Sequence, residues 1–199
     1  MNLKAPSNTK LEKRFDYQSD FVKIKVAESI HSLLPTNTKD FVIVCIGTDR
    51  STGDALGPLT GSLLKKKKQR NFSIFGTLEN PVHAKNLNET LASIHEAFNN
   101  PFILAVDACL GQPSSVGSIN VGTGALKPGA ALNKDLPPIG DLYLTGIVNI
   151  GGYMDYMVLQ STRLHIVMSM AEIIADALHY LDIYLNHPTT QTLEKRIKI

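Results

Sequence analysis

Only two cysteines, Cys45 and Cys109, occur in 199 residues, too few for the disulfide framework of a small secreted domain. Both lie in apolar runs, which points to reduced, buried thiols in a cytosolic chain. Neither a histidine nor a cation stands beside Cys109 in sequence to activate it as a nucleophile. Long apolar stretches are also missing. The longest runs from Phe41 to Ile46, against the roughly 20 residues needed to cross a bilayer. The N-terminal MNLKAPSNTKLEKRF has no apolar segment of the kind a secretory signal carries, so none is expected. Charge of one sign is scarce too. Twenty basic against eighteen acidic side chains leave +2, and no strong field steers the chain to nucleic acid or a membrane surface. Glycine and proline, 14 and 10, stay near ordinary usage, which excludes collagen-like or linker-dominated chains. What is present is 43% apolar and 19% charged residues, enough to fill the core of one domain of ordinary size.

Residues 1–17 are polar and aperiodic and are expected to form a mobile tail, as are residues 188–199, leaving a single α/β domain over 18–187. From Ser19, Val22, Val26, Ile30 and Leu33/Leu34 recur at helical spacing behind a Ser/Asp cap, and Pro35 ends the helix. Phe41–Ile46 is β-branched, closed by Gly47, and reads as a buried strand. A helix over Asp54–Lys68, a strand over Phe72–Leu78, a helix over Asn88–Phe98 and a strand over Phe102–Cys109 follow. This order is the βαβαβ unit of an open parallel sheet. Beyond Gly111, short strands are expected at Ser118–Val121 and Leu142–Ile150, with Lys127–Pro138 a loop between them. The last helix carries an apolar stripe (Leu164, Val167, Met168, Ala171, Ile174, Ala175, Leu178, Leu181) opposite a polar one (His165, Ser169, Glu172, Asp176, His179).

Open α/β sheets bind ligands beyond the carboxyl ends of their strands, where strand order reverses. The segment after the first parallel strand, Gly47-Thr-Asp-Arg-Ser-Thr-Gly-Asp-Ala-Leu-Gly-Pro58, is therefore the place to look. Its glycines fit neither the dinucleotide fingerprint nor a P-loop, and Asp54 stands where a phosphate would be repelled. What the loop offers is carboxylate. Asp54 alone reads as a helix N-cap. Asp107 interrupts the apolar strand Phe102–Cys109 near its end, where a charge is costly unless paired or used. If those two strands are neighbours, the carboxyls share one mouth and split their titrations. One then takes a proton while the other gives one, or the two hold a metal.

Thr52-Gly-Asp-Ala-Leu-Gly-Pro58 resembles the T-P-D-A-L-G-P motif of the bacterial spore germination protease, with Gly53 in place of proline. Val106-Asp107-Ala108 resembles that family's strand-end I-D-A motif. From about Asp40 to Leu181 the chain is similar to the shorter, sporulation-associated YyaC family, related to that protease, through GTDRSTGDALGPLTG, GTLENPVHAKNL and TGIVNIGGYMDY. The resemblance implies a three-layer α/β/α sandwich with a mostly parallel, mixed sheet, the phosphorylase/hydrolase-like layout of hydrogenase maturation proteases. It places that protease's two aspartates at Asp54 and Asp107. Hydrogenase maturation enzymes bind nickel with two acidic residues and a later histidine. The comparable stretch, Gly146–Gly152, has Asn149 and no histidine, so no metal or other cofactor is expected.

Thr48, Asp49, Arg50, His83 and Asn149 are the candidate substrate contacts around the catalytic pair Asp54 and Asp107. His31 and His95 read as helix-face residues, and Lys65–Arg70 as a cationic helix end. Three functions remain open. The first is a peptidase acting on a peptide or spore protein in the cytoplasm of the sporulating cell. The second is a non-cleaving relative that binds such a partner. The third is a metal-dependent hydrolase using Asp54, Asp107 and His83. No nucleic-acid or membrane partner is expected, and a homo-oligomer is allowed.

Overall fold

The computed structural model describes residues 11–36, 38–129 and 136–186. Six strands form one mixed sheet in the order β1-β5-β6-β4-β2-β3. Strands β2 (Phe41–Cys45), β3 (Phe72–Phe75), β4 (Phe102–Gly111) and β6 (Leu142–Ile150) are parallel to one another. Strand β5 (Ser118–Thr123) runs antiparallel to β6 and to β1 (Glu12–Asp16). All five residues of β2 are buried, and alternation divides them between two cores. Phe41, Ile43 and Cys45 pack with the helices α1 (Val22–His31), α2 (Leu56–Lys66) and α5 (Leu164–Asn186). Val42, Val44 and Ile46 pack with α3 (Leu87–Ala97) through Leu87, Leu91 and Ile94. A strand covered on both faces needs the continuous apolar run that made this segment legible. The result is the expected α/β/α sandwich with a mixed sheet.

Three expectations are corrected. The N-terminal tail gives way over Glu12–Asp16 to β1, which pairs residue for residue with β5 from Glu12↔Gly122 to Asp16↔Ser118. An edge strand contributes main-chain hydrogen bonds while its side chains stay in solvent, so no apolar alternation betrays it; only Phe15 is half-buried here. Residues 1–10 and 188–199 of the expected tails, and 130–135 of the expected loop, lie outside the described residues. The Ser/Asp cap is not used by α1. Its N-cap position is Phe21, in the left-handed region at φ 58° with no side-chain cap, while Asp16 closes the preceding turn by accepting from the Gln18 N–H at 2.9 Å. A short helix, α4 (Asp155–Gln160), also stands where none was expected. Six residues are too few to show a helical period.

Helix α5 buries Val167, Ala171, Ile174, Ala175, Leu178 and Leu181 as its pattern requires, but Leu164 at its start is exposed. Two acidic residues of α5 tie the layers together. Asp176 pairs with Lys23 of α1 and with Lys67, 2.6 Å away, at the end of α2. Asp182, buried, accepts hydrogen bonds from the main-chain N–H groups of Arg70 and Asn71 and from the Asn71 amide, at 2.8–3.2 Å. The turn between α2 and β3 is thereby anchored to α5. No helix among the described residues is long and apolar enough to cross a membrane.

Candidate functional site

After β2 the chain crosses to β3 on one side, and after α3 it returns to place β4 on the other. Strand order therefore reverses between β2 and β4, the position where α/β sheets open a crevice. The register Cys45↔Val106 sets Ile46 level with Asp107. The Ile46 N–H donates to Val106 O at 2.7 Å, and the Gly47 N–H to Val82 O at 2.8 Å. The Gly47–Asp54 loop thus leaves the sheet beside the Asp107 carboxyl, with the Asn80–Ala84 segment on its other flank.

Asp54 is not the N-cap of α2. It sits in a single 3-10 turn, Gly53–Ala55, and Ala55 occupies the N-cap position. The turn is pulled onto the strand end by close backbone packing. The Thr48 N–H donates to Asp54 O at 3.1 Å. A Cβ on Gly47, whose φ is +141°, would lie 1.9 Å from that same oxygen, and one on Gly57 would lie 2.0 Å from Ile46 O. Side chains at these two positions would hold Asp54 away from the sheet.

Asp107 is 6% exposed. Its Oδ1 accepts the Ala108 N–H at 2.8 Å, and the Gly129 main-chain N–H also bonds the carboxyl. Burial and then the nearby Asp54 charge push it well above the usual carboxylate range, against the opposing pull of those two N–H groups. A proton is therefore retained on Asp107 where an exposed aspartate would have lost it.

Both aspartates line one cavity of about 570 Å3, and Thr48, Asp49, Arg50 and His83 line it as well. Six of the seven sequence-derived site residues thus meet. Asn149 is not among the lining residues. Its amide donates to Val158 O at 3.4 Å and to Thr162 Oγ1 at 3.2 Å, which joins the end of β6 to α4. His83 Nδ1 accepts the Lys85 N–H at 3.3 Å, so the neutral ring carries its proton on Nε2. Ser51, Leu78, Lys85, Gly129, Tyr156 and Leu159, not singled out by the sequence, also line the cavity. Lys85 and Tyr156 fall inside the two later motif stretches, so a signal for them was present. Gly129 and Leu159 reach the site only through the path of the folded chain.

Asp54, Asp107 and His83 are the residues that could contribute to a metal, but among the described residues no group of three or more His, Cys, Asp or Glu side chains is placed to hold an ion. The two thiols are held protonated by burial, Cys45 up to about 12 and Cys109 up to about 11, which leaves little nucleophilic thiolate at neutral pH.

A family model described as "Protein of unknown function (DUF1256)" matches residues 14–177. The chain is 49% identical over 172 residues to the "Uncharacterized protein YyaC" of Bacillus subtilis (strain 168), covering 85% of this chain and 84% of that protein. Among solved structures, it is similar to the NiFe hydrogenase maturation protease HycI from Thermococcus kodakarensis KOD1, with a TM-score of 0.49 and 17% identity over 74% of this chain and 95% of that one. A structure of the Hydrogenase 3 Maturation protease gives a TM-score of 0.44 and 17% identity over 74% and 93%.

Proposed function

Because the chain belongs to the DUF1256 family, whose description assigns no activity, we propose a function from the site itself: a peptidase in which Asp54 and Asp107 act as a pair on water and a peptide bond. One observation carries this reading. A buried carboxyl, with its titration pushed upward by burial and by a second carboxyl, shares with that second carboxyl one cavity at the strand-order reversal. Two neighbouring carboxyls can divide the roles of base and acid that general acid–base hydrolysis requires.

In the proposed reaction Asp54 takes a proton from water as its oxygen attacks the carbonyl carbon. The tetrahedral intermediate collapses when Asp107 gives its proton to the amide nitrogen, and the C–N bond breaks. The carboxylic acid and amine leave, and the pair regains its starting state by proton exchange with solvent. The roles belong to a coupled pair, whose macroscopic titrations are shared. The motif resemblance further suggests a substrate among spore proteins, in the cytoplasm of a sporulating cell.

The test is incubation with small acid-soluble spore proteins, with and without a chelator, for the native protein, Asp54→Asn and Asp107→Asn. Cleavage that either substitution abolishes and chelator leaves intact supports the pair. Loss with chelator transfers the role to a metal. Binding without cleavage by the native protein overturns the peptidase reading in favour of a non-cleaving partner protein.

A further inference from the structure

Nine large apolar side chains are exposed among the described residues, and most of them belong to one region. Six of them are Leu78, Ile150, Tyr153, Met154, Tyr156 and Met157. Leu78 and Tyr156 line the cavity that holds Asp54 and Asp107. The other four lie within six positions of Tyr156 in the chain, at the end of β6, in α4 and between the two, and with Tyr156 and Leu78 they form an apolar shelf beside the cavity. Single exposed apolar residues need no explanation, but a contiguous group beside a cleft marks a binding surface.

We infer that this shelf, formed by residues 150–157 and completed by Leu78, binds a polypeptide segment whose bulky apolar side chains flank the peptide bond presented to the two aspartates. The substrate class rests on the peptidase reading above. Three features fit a polypeptide with apolar side chains. Leu78 and Tyr156 belong both to the shelf and to the cavity wall, so a chain bound at Asp54 and Asp107 has the shelf within reach. Its one charge, Asp155, is half-buried, and its Oδ1 accepts the Gly152 N–H at 2.8 Å, which draws the carboxylate back onto its own loop. Four of the six exposed side chains are tyrosines and methionines, which accept varied apolar shapes by stacking and by rotation.

The backbone supplies a clean position for removing one shelf side chain. Met154 lies in the left-handed region at φ 57°, ψ 40°, a conformation that disfavours every residue but glycine and, to a lesser degree, asparagine and aspartate. Its side chain is 56% exposed, so burial of that side chain does not repay the strain. The same left-handed N-cap occurs at exposed Phe21 of α1, so the strain belongs to the helix entry, and glycine relieves it while removing only the side chain.

Two fluorescein-labelled peptides serve as probes, alike except that a central Phe-Leu in one is Ser-Ser in the other. Binding is read by anisotropy on the Asp54→Asn background, where no cleavage is needed. The Phe-Leu peptide is expected to bind about tenfold more tightly than its Ser-Ser counterpart, the scale of partly burying two apolar side chains. Tyr153→Ser with Met157→Ser, both outside the cavity wall, should abolish that preference. Met154→Gly should reduce it while leaving the melting temperature unchanged or higher, which separates lost binding from lost folding. A preference that is absent, or that survives these substitutions, overturns the inference. So does sedimentation showing that the native protein buries the shelf in a dimer which the Tyr153 and Met157 substitutions dissolve. Retained preference with no cleavage of any substrate by the native protein would sink the peptidase and leave the shelf standing. Cleavage without preference would do the reverse.

Discussion

Gly57→Ala adds one methyl group to α2, and the consequence is set by what that methyl would meet. Its Cβ would lie 2.0 Å from Ile46 O, 2.7 Å from Ile46 N and 2.8 Å from Ile46 C. All three are backbone atoms of the segment that leads into the site, so no side chain can rotate to make room. Restoring ordinary contact at about 3.4 Å requires the start of α2 and the end of β2 to part by about 1.4 Å, in a packed interior that resists such shifts. Overpacking of this kind costs about 1–3 kcal/mol, and a backbone clash belongs at the upper end. Alanine recovers up to about 1 kcal/mol through its helix preference, less here in the first turn. The net expectation is a loss of about 2 kcal/mol, or about 4–8 °C in melting temperature for a chain of this length. Urea and thermal unfolding measure it directly. The displacement also carries Asp54, three residues earlier, away from Asp107, so the protonation of Asp107 should move toward that of an ordinary aspartate, as carboxyl infrared bands or NMR would report. Equal or greater stability, with an unaltered Asp107 titration, would refute the claim that Gly57 brings the acidic turn onto the sheet.

Asp107, held above its ordinary range by burial and by Asp54, keeps its proton more firmly when folded than when unfolded. The fold should therefore lose stability as pH rises from the unfolded value of about 3.9 through the higher folded value, and Asp107→Asn should flatten that part of a pH series of thermal melts. A rate that depends on protonated Asp107 should fall on the same alkaline side; a pH–rate profile with no alkaline limb contradicts the acid role. Asp182→Ala leaves the N–H groups of Arg70 and Asn71 without their acceptor and should cost about 2–4 kcal/mol in urea unfolding, with Asp182→Asn milder. At neutral pH, Cys45 and Cys109, pushed to about 12 and about 11, should be alkylated by iodoacetamide far more slowly than in the denatured chain. Rapid labelling of the native protein would show that the sites open.

Local chemistry announced the parallel half of the molecule. Phe41–Ile46 and Phe102–Cys109 are apolar because both faces of their strands are covered, and α5 is striped because one of its faces is not. Asp107 was conspicuous for a related reason, as an acid inside a strand that had no other place for one. The loop glycines and the two aspartates were therefore legible as a site before any contact was known. Other features had no local signature. The edge strand β1 draws its stability from main-chain bonds to a strand more than 100 residues away, and α4 is too short to repeat.

The linear chain by itself determined that an α/β fold would form and singled out two acids as the candidate site, because burial preferences and helix or strand periods are properties of neighbouring residues. Only the tertiary structure decided that β4 lies against β2, that Gly57 lets α2 touch the strand end, that Asn149 braces α4 instead of facing the cavity, and that an apolar shelf adjoins the mouth. Those outcomes depend on which distant segments share a surface, and on how close their backbones come, which no window of sequence contains.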